Sequence, residues 1–147
     1  MCSFKNEWQA QFQIFENEAN KVGSPDKKIL TYIEHSLNYY EQVVVHHKIP
    51  VKVLIETRNL YREFMNNINE ERISFYESCI QEGIDSGLFN KCDIRKVAES
   101  IFTVKFAILY DQFNLFMNSF PTREDWAFIR DQIVFVIELI LQGLRKK

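Results

Sequence analysis

The sequence is poor in the features that announce most kinds of chemistry. Its three cysteines, Cys2, Cys79 and Cys92, are odd in number and form no CxxC. That spacing excludes a disulfide framework or zinc site and fits reduced thiols in the cytoplasm. Lys and Arg total 18 against 20 Asp and Glu, so the net charge of −2 leaves no basic footprint for nucleic acid. The most apolar run, Ile133 to Leu141, contains Glu138 and is far short of the roughly 20 residues a membrane span needs. The N-terminus mixes Lys5, Glu7 and Gln residues among its apolar positions, unlike a signal peptide. No glycine-rich phosphate loop, GxSxG or HExxH occurs, and no glutamate stands three residues before His35, His46 or His47, as a Glu-x-x-His metal helix requires. No catalytic residue, metal ligand or cofactor is expected.

Glycine and proline are scarce, at four and three residues, and they fall mostly at breaks between helical patterns. Phe4, Trp8, Phe12, Phe15, Ala19 and Val22 recur at steps of three or four and predict an amphipathic helix over Met1 to Val22. Gly23 ends it, Ser24 is placed to cap the next, and Pro25 suits a first helical position. Ile29, Ile33, Leu37, Tyr40 and Val44 form a second stripe, stopped before Pro50; Val43-Val44-Val45 has strand propensity but is too short for a sheet. Leu54, Ile55, Tyr61, Phe64, Met65 and Ile68 continue in helical period, with a kink or short loop expected around Asn66 to Asn69. Ile73, Tyr76, Ile80 and Ile84 lead to Gly87, which is expected to take the left-handed conformation closing a helix. Gly83 predicts close approach by a neighbouring helix. Asp93 and the pair Thr122/Asp125 read as N-caps. No stretch alternates for long enough to make a paired strand. The pattern predicts one all-α domain over residues 1–147 with roughly six helices.

The last two helices, within Asp93 to Arg145, are apolar almost all the way round. A helix of that kind is buried on more than one side, and so short a chain has difficulty covering two of them. The expectation is a homodimer through this hairpin, using Phe106, Tyr110, Phe113, Met117, Phe128, Phe135 and Leu139. Lys105 lies in the middle of the first of these helices and must snorkel, find a partner on another helix, or meet an anionic ligand. Tyr32, Tyr39, Tyr40, Tyr61, Phe64, Phe75 and Tyr76 crowd the middle helices, as core or as the walls of an apolar pocket with polar tips. Cys79 reads as a buried structural thiol, His46-His47 as a solvated helix end, Arg145-Lys146-Lys147 as charges serving a helix dipole, and Glu70-Glu71-Arg72 as an exposed face.

The run Ile80-Gln81-Glu82-Gly83-Ile84-Asp85-Ser86-Gly87-Leu88-Phe89, then a polar turn, Asp93 and a helix carrying Val97, Ala98 and Ile101, resembles the tetracycline-repressor (TetR) family of transcriptional regulators. The terminal Gly143-Leu144-Arg145 is similar to the way many members finish. The resemblance spans most of Pro50 to Lys147 and, more loosely, the whole chain. It implies the all-α fold of the family's C-terminal regulatory domain, an effector pocket among the middle helices, and a dimer in which the last two helices build a four-helix bundle. The family's helix-turn-helix DNA-binding segment has no counterpart before the first helix, where Phe4-Lys5-Asn6-Glu7-Trp8 looks like the junction to it. Any contact with DNA is thus expected only through that missing segment. The expected ligand is a small, largely apolar effector, with Tyr32, Ser36, Tyr39, Phe64, Tyr76, Phe102 and Lys105 lining its pocket. The alternatives left open are a helical dimerisation module with a solid core, and a small helical enzyme.

Overall fold

The computed structural model describes residues 2–60 and 62–147, excepting the side chains of residues 2–6, 62, 64 and 65. Among the described residues the chain forms six α-helices and no strand: α1 (Cys2–Asn20), α2 (Pro25–Glu41), α3 (Val51–Leu60), α4 (Arg62–Asp85), α5 (Ile94–Asn114) and α6 (Arg123–Leu144). Gly23 lies in the break between α1 and α2, and Pro25 stands in the first turn of α2. Ser24 occupies the N-cap position with an extended backbone, but its side chain makes no capping bond. The two later caps do form. Asp93 accepts from the Lys96 amide, and Thr122 and Asp125 complete a reciprocal capping box on α6. Asn66 to Asn69 do not break the chain; α4 runs through them without a loop.

α2 is the centre of the bundle. Ile29, Ile33 and Leu37 are wholly buried, as the 3.6-residue period demands of a helix with neighbours on several sides. It packs against α1, α4 and α6, while α5 closes the bundle between α4 and α6. From α6, Trp126, Ile129, Ile133, Ile137 and Leu141 point inward along one stripe. Each such side chain contributes about 1.5–3 kcal/mol by leaving water.

Two departures from regular helix matter below. After Glu41 the chain widens into a π-helical turn, Gln42–His46, with the His47 amide donating to the Gln42 carbonyl at 2.9 Å. Three β-branched valines at a helix end crowd the preceding turn, and the wider winding relieves them. Lys48 then takes φ +52°, a left-handed conformation that costs a side-chain-bearing residue about 1–2 kcal/mol.

The second departure is the turn after α4. Gly87 is left-handed (φ +82°), and the Phe89 amide returns to the Gly83 carbonyl at 2.9 Å. The Phe89 ring is thereby laid on the helix at Gly83, where a Cβ would stand 2.1 Å from it. The close approach expected at Gly83 therefore comes from this returning ring and not from a neighbouring helix. The same turn holds the end of α6. The Asn90 amide donates to the Leu144 carbonyl at 2.8 Å, and the Lys146 amide to the Leu88 carbonyl at 3.0 Å. Arg145 reaches Asp26 of α2 at 2.6 Å, so this terminal cation pairs with a carboxylate beyond any service to the α6 dipole.

Candidate functional site

The π-helical turn and the left-handed Lys48 set a gap between α2 and α3. It opens as a cavity of about 330 Å3. Glu7 and Trp8 wall it from α1, Tyr39, Tyr40 and Val43 from α2 and the π turn, and Ile49 from the following loop. α3 adds Val53, Leu54, Thr57 and Arg58, and α5 adds Tyr110. The rings are fixed by one another: Trp8 meets Tyr39 edge-on at 5.6 Å, and the Arg58 guanidinium lies 4.5 Å from the Tyr110 ring. An apolar lining with a few polar tips, at the small end of the ligand-pocket range, is what a small-molecule site looks like. Two larger hollows along α4 are open surface grooves rich in Glu16, Glu70, Glu71, Glu77, Glu82 and Asp85, with Ile94, Phe75 and Cys79 as their apolar side chains. Among the described residues no group of three or more His, Cys, Asp or Glu side chains is placed to hold a metal ion. No helix there is long and apolar enough to cross a membrane.

One ring deeper, on the core side of Tyr110, lies a cluster of charge. Phe106 stacks on Tyr110 at 5.6 Å, and three cations surround its ring: Arg58 at 5.6 Å, Arg72 at 5.2 Å and Lys105 at 5.2 Å. Arg72 is 1% exposed, with its guanidinium 3.9 Å above the Phe12 ring. None of its three side-chain nitrogens makes a hydrogen bond among the described residues. It does act on Tyr32: burial pushes that hydroxyl up to about 12, while the Arg72 guanidinium pulls the other way, by its charge and by its close approach to the hydroxyl, which falls short of hydrogen-bond geometry. Lys105 is fully buried and donates to the Ser36 hydroxyl at 2.5 Å. Burial, and then the Arg72 charge, hold the Lys105 ammonium well below its ordinary range. The Tyr76 hydroxyl has no hydrogen-bond partner among the described residues, and burial pushes it far upward.

The energetic balance at Arg72 is unfavourable as it stands. A desolvated stack on aromatic rings returns about 2 kcal/mol, whereas the effective penalty for burying an ion is several kcal/mol. The partly exposed Arg95, by contrast, is ringed by Glu70, Glu77 and Glu99 at 2.5–3.2 Å. None of the ion pairs among the described residues includes Arg72 or Lys105.

The side chains expected to line a pocket separate into these two places. Tyr39 lines the cavity. Tyr32, Ser36, Tyr76 and Lys105 belong to the buried cluster around Arg72, and Phe102 is half-buried against Phe106 at 4.7 Å. The side chain of Phe64 lies outside the described residues. Lys105 does not snorkel; it is answered from another helix by Ser36. The cavity walls Trp8, Val43, Leu54, Thr57 and Arg58 escaped the sequence reading because three separate segments supply them. Arg72 escaped for a different reason. Glu70 and Glu71 are exposed as a charge run should be, but Arg72 falls on the inward stripe of Ile68, Tyr76 and Cys79. Its spacing of four from Ile68 and Tyr76 was the available signal.

The residues expected at a dimer interface also divide. Phe113 and Phe106 are buried within the protomer, and Tyr110 lines the cavity. Met117 is half-buried. Phe128, Phe135 and Leu139 stand 62%, 62% and 50% exposed on the outer face of α6. Cys79 is buried, and burial pushes its thiol up to about 12, leaving it inert as a nucleophile near neutral pH.

Comparison with protein-family models, with characterised proteins and with solved structures finds no match to this chain.

Proposed function

We propose that this chain is the effector-sensing and dimerisation domain of a TetR-like transcriptional regulator, and that its effector is small and largely apolar. The observation that carries the reading is the 330 Å3 cavity, because one of its walls is Trp8 of α1. In the resembled family, the first helix of the regulatory domain connects to the DNA-reading head. A ligand that separates Trp8 from Tyr39 and Tyr40 therefore tilts α1 and changes the spacing of two such heads on their half-sites. The exposed Phe128, Phe135 and Leu139 repeat at steps of seven and four on α6 and form the face on which a second copy packs. In the resembled family, DNA contact belongs to a helix-turn-helix segment ahead of this helix.

The chain has two tryptophans, Trp8 and Trp126, so a Trp126→Phe variant leaves Trp8 as sole reporter. Titration with decanol is expected to change Trp8 emission saturably and to raise Tm, since binding the native state stabilises it. Thr57→Trp, which fills the cavity, is expected to abolish both responses. A flat titration would instead favour the solid helical module. Sedimentation should show a dimer that Phe135→Glu converts to a monomer, and an in-frame helix-turn-helix upstream of Met1 would fix the regulatory class.

A further inference from the structure

Among the described residues, Arg72 and Lys105 are the buried cationic side chains, and neither has a carboxylate partner. The side chains outside the structural description belong to Met, Cys, Ser, Phe, Lys, Asn, Tyr and Arg, none of them acidic, so they include no carboxylate. Every Asp and Glu of the chain is thus accounted for, and none pairs with Arg72 or Lys105. Unpartnered polar atoms converge with them: the three guanidinium nitrogens of Arg72 and the Tyr76 hydroxyl. Tyr32 completes the group, stacked on Phe75 at 4.7 Å and edge-on to Tyr76 at 5.6 Å. These groups together are the donor set that an anion requires. The fork of a guanidinium matches the two oxygens of a carboxylate.

The position of the cluster decides what carries the anion. Phe106 touches the cavity side through Tyr110 and Arg58, and the core side through Arg72 and Lys105. Phe106 is thus the ring in contact with both the cavity walls and the buried pair Arg72 and Lys105. We propose that the ligand is a small amphiphilic carboxylate, its apolar body in the cavity and its carboxylate passed beyond Phe106 to Arg72 and Lys105. The inference rests on the effector-binding reading above and specifies the chemical class of that effector. Once seated, the carboxylate accepts from the Arg72 guanidinium and from Lys105, which keeps its Ser36 contact, and gives both the anionic partner that no ion pair among the described residues supplies.

The test compares decanoate, decanol and acetate as ligands of the full chain, read by thermal shift and calorimetry. Decanoate is expected to bind at least about tenfold tighter than decanol, the scale of one hydrogen bond to a charged group, and acetate is expected to have no effect at equal concentration. Arg72→Met should bring decanoate down to the affinity of decanol. Lys105→Met should reduce the preference in the same direction, and it carries the test should Arg72→Met not fold. Equal affinity for decanol and decanoate would overturn the carboxylate and leave the cavity reading intact. An effect of acetate matching that of decanoate would show an adventitious ion only, and overturns the amphiphile. Silence from all three overturns both readings.

Discussion

α4 carries two polar arrangements with opposite outcomes. At its C-terminal end, the turn through Gly87 and Phe89 gives its main-chain groups partners: the Phe89 amide has Gly83, the Asn90 amide has Leu144, and the Lys146 amide closes on Leu88. Three turns earlier on the same helix, Arg72 is buried, and its guanidinium makes no hydrogen bond among the described residues. Both regions are packed, so burial alone does not distinguish them. Satisfaction does. A buried polar group with its partners in place fixes structure, and one without them marks a site still open to something else.

The comparison can be broken at either end. The largest effect is expected at the satisfied turn. Phe89 is wholly buried against Gly83, and Phe89→Ala should cost about 3–5 kcal/mol in urea denaturation, the range for truncating a core aromatic. A loss below 1 kcal/mol would mean that the turn does not hold the end of α6. The opposite sign is expected at the unsatisfied region. Arg72→Met keeps the length of the side chain and removes an uncompensated charge, so the ligand-free protein should gain about 1–4 kcal/mol. Destabilisation of similar size would show that the aromatic stack already compensates the charge.

A smaller effect concerns pH. Lys105 faces Arg72 from α4 and Ser36 from α2, and its ammonium is held down first by burial and then by the Arg72 charge. The unfolded chain therefore retains a proton that the folded chain releases. Stability should rise with pH from the folded value of Lys105 up to its ordinary value of 10.5, where the penalty of burying the ammonium has been relieved. Urea curves at pH 7 and pH 9 should show that rise in the wild type and a flatter response in Lys105→Met. Parallel responses would remove Lys105 from the account.

The smallest effect belongs to the Arg145–Asp26 pair. Burial alone would raise the Asp26 carboxyl, but the Ser24 hydroxyl, the Arg145 guanidinium and the Lys27 amide overcome it and leave it below its ordinary value. Its contribution is present above that ordinary value of 3.8 and is lost as pH falls through the lower folded value. Arg145 is 37% exposed, so Arg145→Ala should cost under about 1 kcal/mol at neutral pH. The cost should fade in acid, which acid titration of the two proteins would check.

These two regions also differ in how far they could be read from sequence. Gly87, Asp93 and Thr122 signal their roles through local backbone and capping chemistry, which depends on residues within one turn. The structure follows them closely. The inward stripe of α6 was equally plain, since Trp126, Ile129, Ile133 and Ile137 keep one period. Arg72 sits where two signals disagree: its immediate neighbours Glu70 and Glu71 indicate solvent, while Ile68 and Tyr76 four residues away indicate core. Period prevails over neighbours, because the helix axis sets which way a side chain points. The cavity was less legible still. Trp8, Val43, Thr57 and Tyr110 meet only through tertiary packing, and three of them carry no mark in sequence that separates a cavity wall from core.

The π-helical turn at Gln42–His46 can be viewed as one residue too many. A helix that receives an inserted residue keeps its flanking register by bulging into a wider loop, and such bulges gather at functional sites. Removing one valine from Val43–Val45 would let the helix close up and draw the Ile49 loop inward across the gap. On this view the width of the cavity is tied to the winding of that one turn, and a single-residue deletion there is the shortest change expected to narrow it.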